Sequence, residues 1–383
     1  RSGSGVIAPT EHISASFHSR SNRFVALCSI PGRGRVRAFM PNPGRMWELL
    51  FPGVTLLLTE VPANQHRLTR FTVVAIERGG ETILLDTHRT NTVAHHLLTS
   101  QRVPGLESWS VADTEVSVGS SRFDFRLTRG GQQLLLEVKS CTLFGNGVAM
   151  FPDAVTERGR RHLLELAHLT KTTGHRAAVL FVVHSMRPRW FMPDFHSDLE
   201  FSRTLLQVRR QVLILPVAVR WNSDLTLRPG SHLLDIPWSY LEREVDDRGA
   251  YLLLLRLRRR RKIEVGALGR IRFAPGWYVY VGSAMKALDA RLERHVRLRK
   301  NMRWHVDYLR QVADEVVPLP IRSSRRLECE LAEAVAAHSQ QAIDGFGSSD
   351  CGCQSHLFQL GRAPLHDPNF HELLQRYRMA PPS

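Results

Sequence analysis

The sequence predicts an α/β multidomain protein in which a small β-barrel precedes two α/β domains. Three observations predict it. Short β-like runs separated by Gly, Pro and Asn fill residues 17–86, and apolar strands alternate with helical stretches from Asn91 to Trp221. A second strand-and-helix pattern then restarts at Gly249, after an aperiodic stretch holding Pro229, Gly230 and Pro237. With 383 residues and 43% hydrophobic content, the chain can bury two or three cores, which excludes a disordered or fibrous protein.

The first domain is expected over 13–90. Its strands are read at Phe24–Leu27, Val36–Phe39, Val54–Leu58, Phe71–Ile76 and Thr82–Asp86. Short strands at this spacing suggest a barrel. At Asn42-Pro-Gly-Arg-Met-Trp-Glu-Leu-Leu50 a turn leads into one helical stretch, which fits an OB-like barrel interrupted by a short helix.

The second domain, 91–235, opens with a helix near Val93–Leu98 and carries the chemistry. Ser121-Arg-Phe-Asp-Phe125 and Leu134-Leu-Leu-Glu-Val-Lys-Ser140 flank a Gly130-Gly131 turn. Alternation along a strand places Glu137 and Lys139 on one face, with Leu136 and Val138 on the other, and sets Asp124 between two phenylalanines. A hairpin register can unite the three. Two converging carboxylates make a hard-oxygen site for Mg²⁺ or Mn²⁺, and a nearby ammonium can hold water or neutralise charge on phosphate. An exposed edge hairpin with ordinary surface charges is the competing reading. A helix from Thr156 to Leu169, capped by Asp153 or Thr156, puts Arg158, Arg161 and His162 on one face that either meets phosphate or is simply solvated. Ala177–Val183 reads as a buried central strand.

The third domain, 248–360, begins with Gly249–Leu255 and passes through the basic run Arg256-Leu-Arg-Arg-Arg-Arg-Lys262. It continues through Ile263–Val265, Ile271–Phe273 and Tyr278–Gly282 to helices at Met285–Arg299 and Glu328–His338. Arg258, Arg260 and Lys262 are candidate phosphate contacts if the run is exposed, and a solvated loop otherwise. Arg291, one helical turn before His295 and just beyond a Gly-Ser-Ala turn, suggests an anion pocket. In the tail, Cys351, Cys353 and His356, with Cys329, are candidate soft ligands for Zn²⁺. The C-x-C spacing is tighter than the usual C-x₂-C, so a turn of small residues packed under the domain competes with a metal.

The formal charge is +16, and residues from Arg248 onward hold 23 Lys and Arg against 13 Asp and Glu. A polyanionic partner follows, with nucleic acid as the expectation. Of five cysteines, Cys28 and Cys141 are isolated and Cys329, Cys351 and Cys353 fall in the last sixty or so residues, which makes no disulfide framework in a chain this long, so a reducing cytoplasm is the expectation. No apolar run reaches membrane-span length. Arg1-Ser-Gly-Ser-Gly5 lacks a starting Met and reads as a truncation edge.

The first 240 or so residues resemble the sugar fermentation stimulation protein (SfsA) family. The resemblance rests on Asn22-Arg-Phe24, Asn42-Pro-Gly-Arg-Met46 with Glu48-Leu-Leu50 and Pro52-Gly53, Asp86-Thr87, Ser121–Phe125, Glu137-Val-Lys-Ser140 and Phe151-Pro-Asp-Ala-Val-Thr-Glu-Arg-Gly-Arg-Arg-His162. It implies an OB domain followed by a PD-(D/E)XK nuclease-like domain, with DNA binding. It would assign Asp124 and Glu137 to metal and Lys139 to the attacking water or the scissile phosphate, with Glu107 or Glu115 as a further acid. Arg45 and Arg122 lie within these motifs and join Arg158, Arg161 and His162 as candidate nucleic-acid contacts. The remainder is similar to the GIY-YIG-related domain family: Gly249-Ala-Tyr251 stands for the first tripeptide and Tyr280-Val-Gly282 for the second, followed by Arg291, His295 and Trp304-His-Val-Asp-Tyr308. That resemblance implies roles for Tyr251 and Tyr280 at water, for Arg291 at the phosphate, and for Glu328 or Glu330, here taken as Glu330, at a metal. The tripeptides are separated by more residues than in compact nucleases.

The resulting expectation is a DNA-binding protein with a Mg²⁺- or Mn²⁺-dependent phosphodiesterase site on the second domain. The alternative is a non-catalytic DNA-binding regulator of sugar (maltose-type) metabolism genes, and an RNA-directed enzyme would use the same parts.

Overall fold

The computed structural model describes residues 7, 10–61, 69–119 and 121–382. Arg1–Gly5 lies outside the described residues. The chain forms two compact units, one of Arg1–Asp194 with Glu200–Trp238 and Pro381–Ser383, the other of Phe195–Leu199 with Ser239–Ala380.

The first unit opens with strands Ile13–Asn22, Val25–Ile30, Gly34–Phe39, Thr55–Glu60, Phe71–Arg78 and Glu81–Leu84. They run in the order third, second, first, fourth, fifth, sixth. Pairs Ala38 with Phe71 and Phe39 with Thr72 join third to fifth and close a five-stranded barrel. Inward positions alternate, as in Val25–Ile30, where Ala26, Cys28 and Ile30 are buried. The opening strand went unread because only Ala15 and Phe17 face inward between Ser, His and Arg.

The helix expected at Asn42–Leu50 is absent. Leu49 and Leu50 N–H both bond the Met46 carbonyl, at 3.1 and 3.0 Å, in a turn. Met46 adopts φ 49° and its N–H is taken by the Asp153 carboxylate at 2.6 Å, so the helical register never starts.

Helix Thr90–Thr99 then leads to a six-stranded sheet. Its spatial order is His232–Leu233, Val212–Ala218, Arg176–Val183, Gln132–Cys141, Ser121–Arg129, Ser110–Val118. Arg176–Val183 pairs in parallel on both sides, which accounts for its unbroken apolar run. The edge strand Ser110–Val118 is mostly exposed and polar, so its sequence carried little signal. Helix Glu157–Thr172 lies over the sheet and buries His162, Leu163, Leu166 and Leu169, at helical spacing. Thr156 is its cap, its Oγ accepting from Gly159 N–H at 3.1 Å. Barrel residues such as Phe17 and Leu58 share one core with Leu163, Val179 and Phe181.

The second unit is an antiparallel five-stranded sheet in the order Glu315–Arg322, Gly249–Leu257, Gly276–Ala284, Leu357–Leu360, Gln341–Ala342. A separate hairpin pairs Arg261–Glu264 with Arg270–Phe273. Helices Leu288–Val296, His305–Val312, Glu328–Ala336 and Pro368–Arg378 complete it. The first of these is shorter than the Met285–Arg299 span expected from sequence. Among the described residues, no helix is long and apolar enough to cross a membrane.

Candidate functional site

The antiparallel register between Ser121–Arg129 and Gln132–Cys141 runs from Arg129 with Gln132 to Phe125 with Leu136. The ladder ends there, and Asp124 and Glu137 are the next residues on the two strands. There the Asp124 carboxylate itself accepts the Val138 N–H, at 2.7 Å, while its other oxygen accepts from Asn91 Nδ2, also at 2.7 Å. Glu137 is buried, and its Oε1 lies 2.6 Å from both Lys139 Nζ and His162 Nδ1. The three residues singled out from sequence therefore converge. Asn91 and His162 orient the two carboxylates from the helices on either side of the strand pair in sequence.

Their electrostatics diverge. Burial and then the Glu137 charge push the Asp124 carboxyl up, against the Val138 and Asn91 hydrogen bonds. At Glu137 burial also pushes upward, but the His162 hydrogen bond and the Lys139 ammonium outweigh it and hold the carboxyl below its ordinary range.

These groups line a cleft of about 550 Å³ together with Arg23, Asn42, His88, Asp153 and Arg158. Barrel and sheet both contribute. On its wall, the half-buried Asp153 acts electrostatically on the buried Glu48. Burial, then the Asp153 charge, pushes Glu48 up to about 8, and burial raises Asp153 as well. Arg23 lies 4.7 Å over the half-exposed Phe24 ring at the barrel surface, and Arg45 lies 4.8 Å over Trp47.

Several expected contacts stand elsewhere. His162, read as part of an exposed helical face, is buried against Glu137, while Arg158 and Arg161 are exposed. Spacing gave the three a common face, but a long buried histidine reaches a carboxylate that the pattern did not reveal. Glu107 turns back to accept Gly105 N–H, and Glu115 pairs with Arg122 on the outer strand. Neither lines the cleft, whereas Asn91, which sequence reasoning passed over, does.

In the second unit Tyr251 is buried with its hydroxyl 2.7 Å from His295 Nε2. The other ring nitrogen of His295 is 3.8 Å from Asp307. Asp307 also receives Arg294 and Lys300 and the backbone N–H groups of Arg303 and Trp304. Burial opposes its ionisation, but these donors hold it far below the usual carboxylate range. The Tyr280 ring lies tilted, 6.3 Å from that of Tyr251, and burial raises both phenols, so both keep their protons at neutral pH. The Arg291 guanidinium lies 4.3 Å over Trp304 and donates to the Ser283 carbonyl at 3.5 Å. Glu330, taken from sequence as the metal acid, faces outward and pairs with Arg325 at 3.1 Å. One helical turn is 3.6 residues, so the two glutamates diverge. Glu328 faces inward, accepting from Ser283 Oγ. Arg258 is bonded to Glu315, and Arg260 and Lys262 are exposed. Cys329, Cys351, Cys353 and His356 are brought together, their ligand atoms all within 4.8 Å of one another.

The family model for the SfsA N-terminal OB domain matches residues 19–85, and that for the sugar fermentation stimulation protein RE domain matches residues 88–224. A sugar fermentation stimulation protein homolog of Chloroflexus aurantiacus is 41% identical over 197 residues, covering 51% of this chain and 75% of the relative. The chain belongs to the sugar fermentation stimulation protein family. Another family member, from Methanothermobacter thermautotrophicus, is 34% identical over 228 residues and is covered over 94% of its length. The structure of Pyrococcus furiosus SfsA in complex with Ca²⁺ is similar with a TM-score of 0.55 and 26% identity, covering 61% of this chain and 99% of that one. Residues 250–379 match the domain of unknown function DUF123, so this SfsA family chain carries a GIY-YIG-related domain after its OB and RE domains.

Proposed function

We propose that the protein binds DNA and hydrolyses a phosphodiester bond at the Asp124–Glu137 cleft with Mg²⁺ or Mn²⁺. The observation that carries this reading is the meeting of the buried Glu137 carboxylate with the half-buried Asp124 carboxyl, which burial and then the Glu137 charge push up, beside a lysine in an open cleft. Two hard-oxygen donors under mutual repulsion fit a divalent cation, which relieves that repulsion. The Ca²⁺ complex of the Pyrococcus furiosus relative supports the same reading. Such an ion, when bound, polarises a phosphoryl oxygen and lowers the pKa of water.

The chain's own residues do the rest. Asn91 and the Val138 N–H fix the orientation of Asp124, and His162 fixes that of Glu137. Lys139, partly exposed at 19%, stands ready to neutralise charge developing on the phosphate. Arg23, Arg45, Arg158 and Arg161 would meet backbone phosphates, and Phe24 would offer a stacking face for a base. Arg122, although paired with Glu115 of the outer strand, adds charge to strand Ser121–Arg129. In the second unit Arg291, beside Tyr251 and Tyr280, is an anion contact. Arg258 and Arg260 before the hairpin strand Arg261–Glu264, with Lys262 on it, give a second hold on nucleic acid. The free thiols fit a reducing cytoplasm.

The test is cleavage of labelled single-stranded, duplex and branched DNA with Mg²⁺ or Mn²⁺, with binding recorded on the same samples. Lys139→Ala is expected to cut at least about 10²-fold more slowly while binding as well as the wild type. DNA binding with no cleavage under any metal would replace this reading with the non-catalytic regulator of sugar genes.

A further inference from the structure

Cys329 is the second residue of helix Glu328–Ala336. Cys351 and Cys353 sit on the loop that precedes strand Leu357–Leu360, and His356 immediately precedes that strand. All three cysteines are free thiols, yet the three Sγ atoms and an imidazole nitrogen lie within 4.8 Å of one another. In a tetrahedral zinc site, with Zn–S of about 2.3 Å, ligand atoms stand ~3.8 Å apart. A contraction of about an ångström or less closes the cluster. A disulfide would use two of the four groups and leave the convergence of the other two unexplained.

The histidine is held as a zinc ligand is held. Its Nε2 lies 3.4 Å from Cys351 Sγ, and its Nδ1 faces Glu328 Oε1 at 3.3 Å, with the ring buried. Carboxylate, histidine and metal in that sequence form the usual outer support of a zinc site. His356 Nδ1 makes no well-directed hydrogen bond despite its burial, so a small shift of the ring toward a metal would also improve that contact. The other oxygen of Glu328 accepts from Ser283, whose carbonyl receives Arg291.

We propose that Cys329, Cys351, Cys353 and His356 bind one Zn²⁺ in a tetrahedral Cys₃His site that pins the 344–356 segment to helix Glu328–Ala336 and fixes Glu328 beside Arg291. Three thiolates and an imidazole select a soft or borderline ion over Mg²⁺ or Ca²⁺. The site is built within the second unit and stands whether or not the Asp124 cleft cleaves anything.

The full chain, purified with its thiols reduced, is analysed for metal and titrated with Co²⁺. About one Zn²⁺ per chain is expected, together with the visible bands of tetrahedral thiolate-bound cobalt. Cys353→Ser drops the zinc content well below one, while Cys28→Ser, in the barrel core, leaves it unchanged. Hydrogen exchange of residues 344–356 rises on zinc removal and falls again on its return. A reduced wild-type chain that takes up no zinc, or a cobalt spectrum of octahedral type, overturns the site; unchanged exchange overturns the pinning.

Discussion

Glu137 receives Lys139 and His162 on a single oxygen, so its charge is satisfied before any ligand arrives. Asp124 differs: burial and the neighbouring carboxylate push it up, and it binds a cation only after losing its proton. The affinity of the cleft for Mn²⁺ is therefore expected to fall as pH drops through the raised Asp124 value, which lies above that of an ordinary aspartate. Calorimetric titration across mildly acidic pH tests this, and a flat profile would remove Asp124 from the metal site. Sequence revealed Asp124, Glu137 and Lys139 because charge in an apolar hairpin is conspicuous. It did not reveal Asn91 or the role of His162, since each meets its carboxylate across more than twenty residues of chain, and such meetings depend on packing.

At the scale of elements, strands with an alternating or unbroken apolar pattern were legible. Ser110–Val118 and Ile13–Asn22 were not, because polar residues dominate them. The Asn42–Leu50 turn shows tertiary contacts overriding local preference, with Asp153 capturing Met46 N–H. Close approach also decides what the paired strands Gly249–Leu257 and Gly276–Ala284 tolerate. Tyr251 faces Gly282 across the ladder, and a Cβ at Gly282 would collide with the phenol ring and hydroxyl. Gly282→Ala is expected to destabilise the domain by about 1–3 kcal/mol and break the Tyr251–His295 contact. Chemical denaturation measures the first effect, and the NMR shift of the His295 ring reports the second. Unchanged stability would mean the strands yield more easily than their packing implies.

At the scale of the whole molecule, the order of a barrel, a mixed six-stranded sheet and a third α/β domain was legible in sequence because each brings its own periodicity. The buried acid Glu48 was not, since it reads as a helix residue and lies in a turn. With its folded pKa raised to about 8, Glu48 keeps its proton in the native state at pH values where the unfolded chain has lost it. Its contribution to stability is therefore full below the ordinary glutamate range and is lost as pH rises toward 8. The slope approaches 1.4 kcal/mol per pH unit, at about one proton. Glu48→Gln should flatten that slope in denaturation curves between pH 5 and 8, in units of roughly one proton's worth. An unaltered slope would assign the effect to other groups.

The hydrogen bond from Val138 to Asp124 gives the hairpin an asymmetry between its two principal acids and its lysine. Asp124 fastens a sheet as well as facing the cleft, whereas Lys139 has no such second duty. A descendant released from selection for chemistry would be expected to shed the lysine early and keep the aspartate long afterwards. The aspartate alone would then be a poor witness to activity, and the lysine a good one.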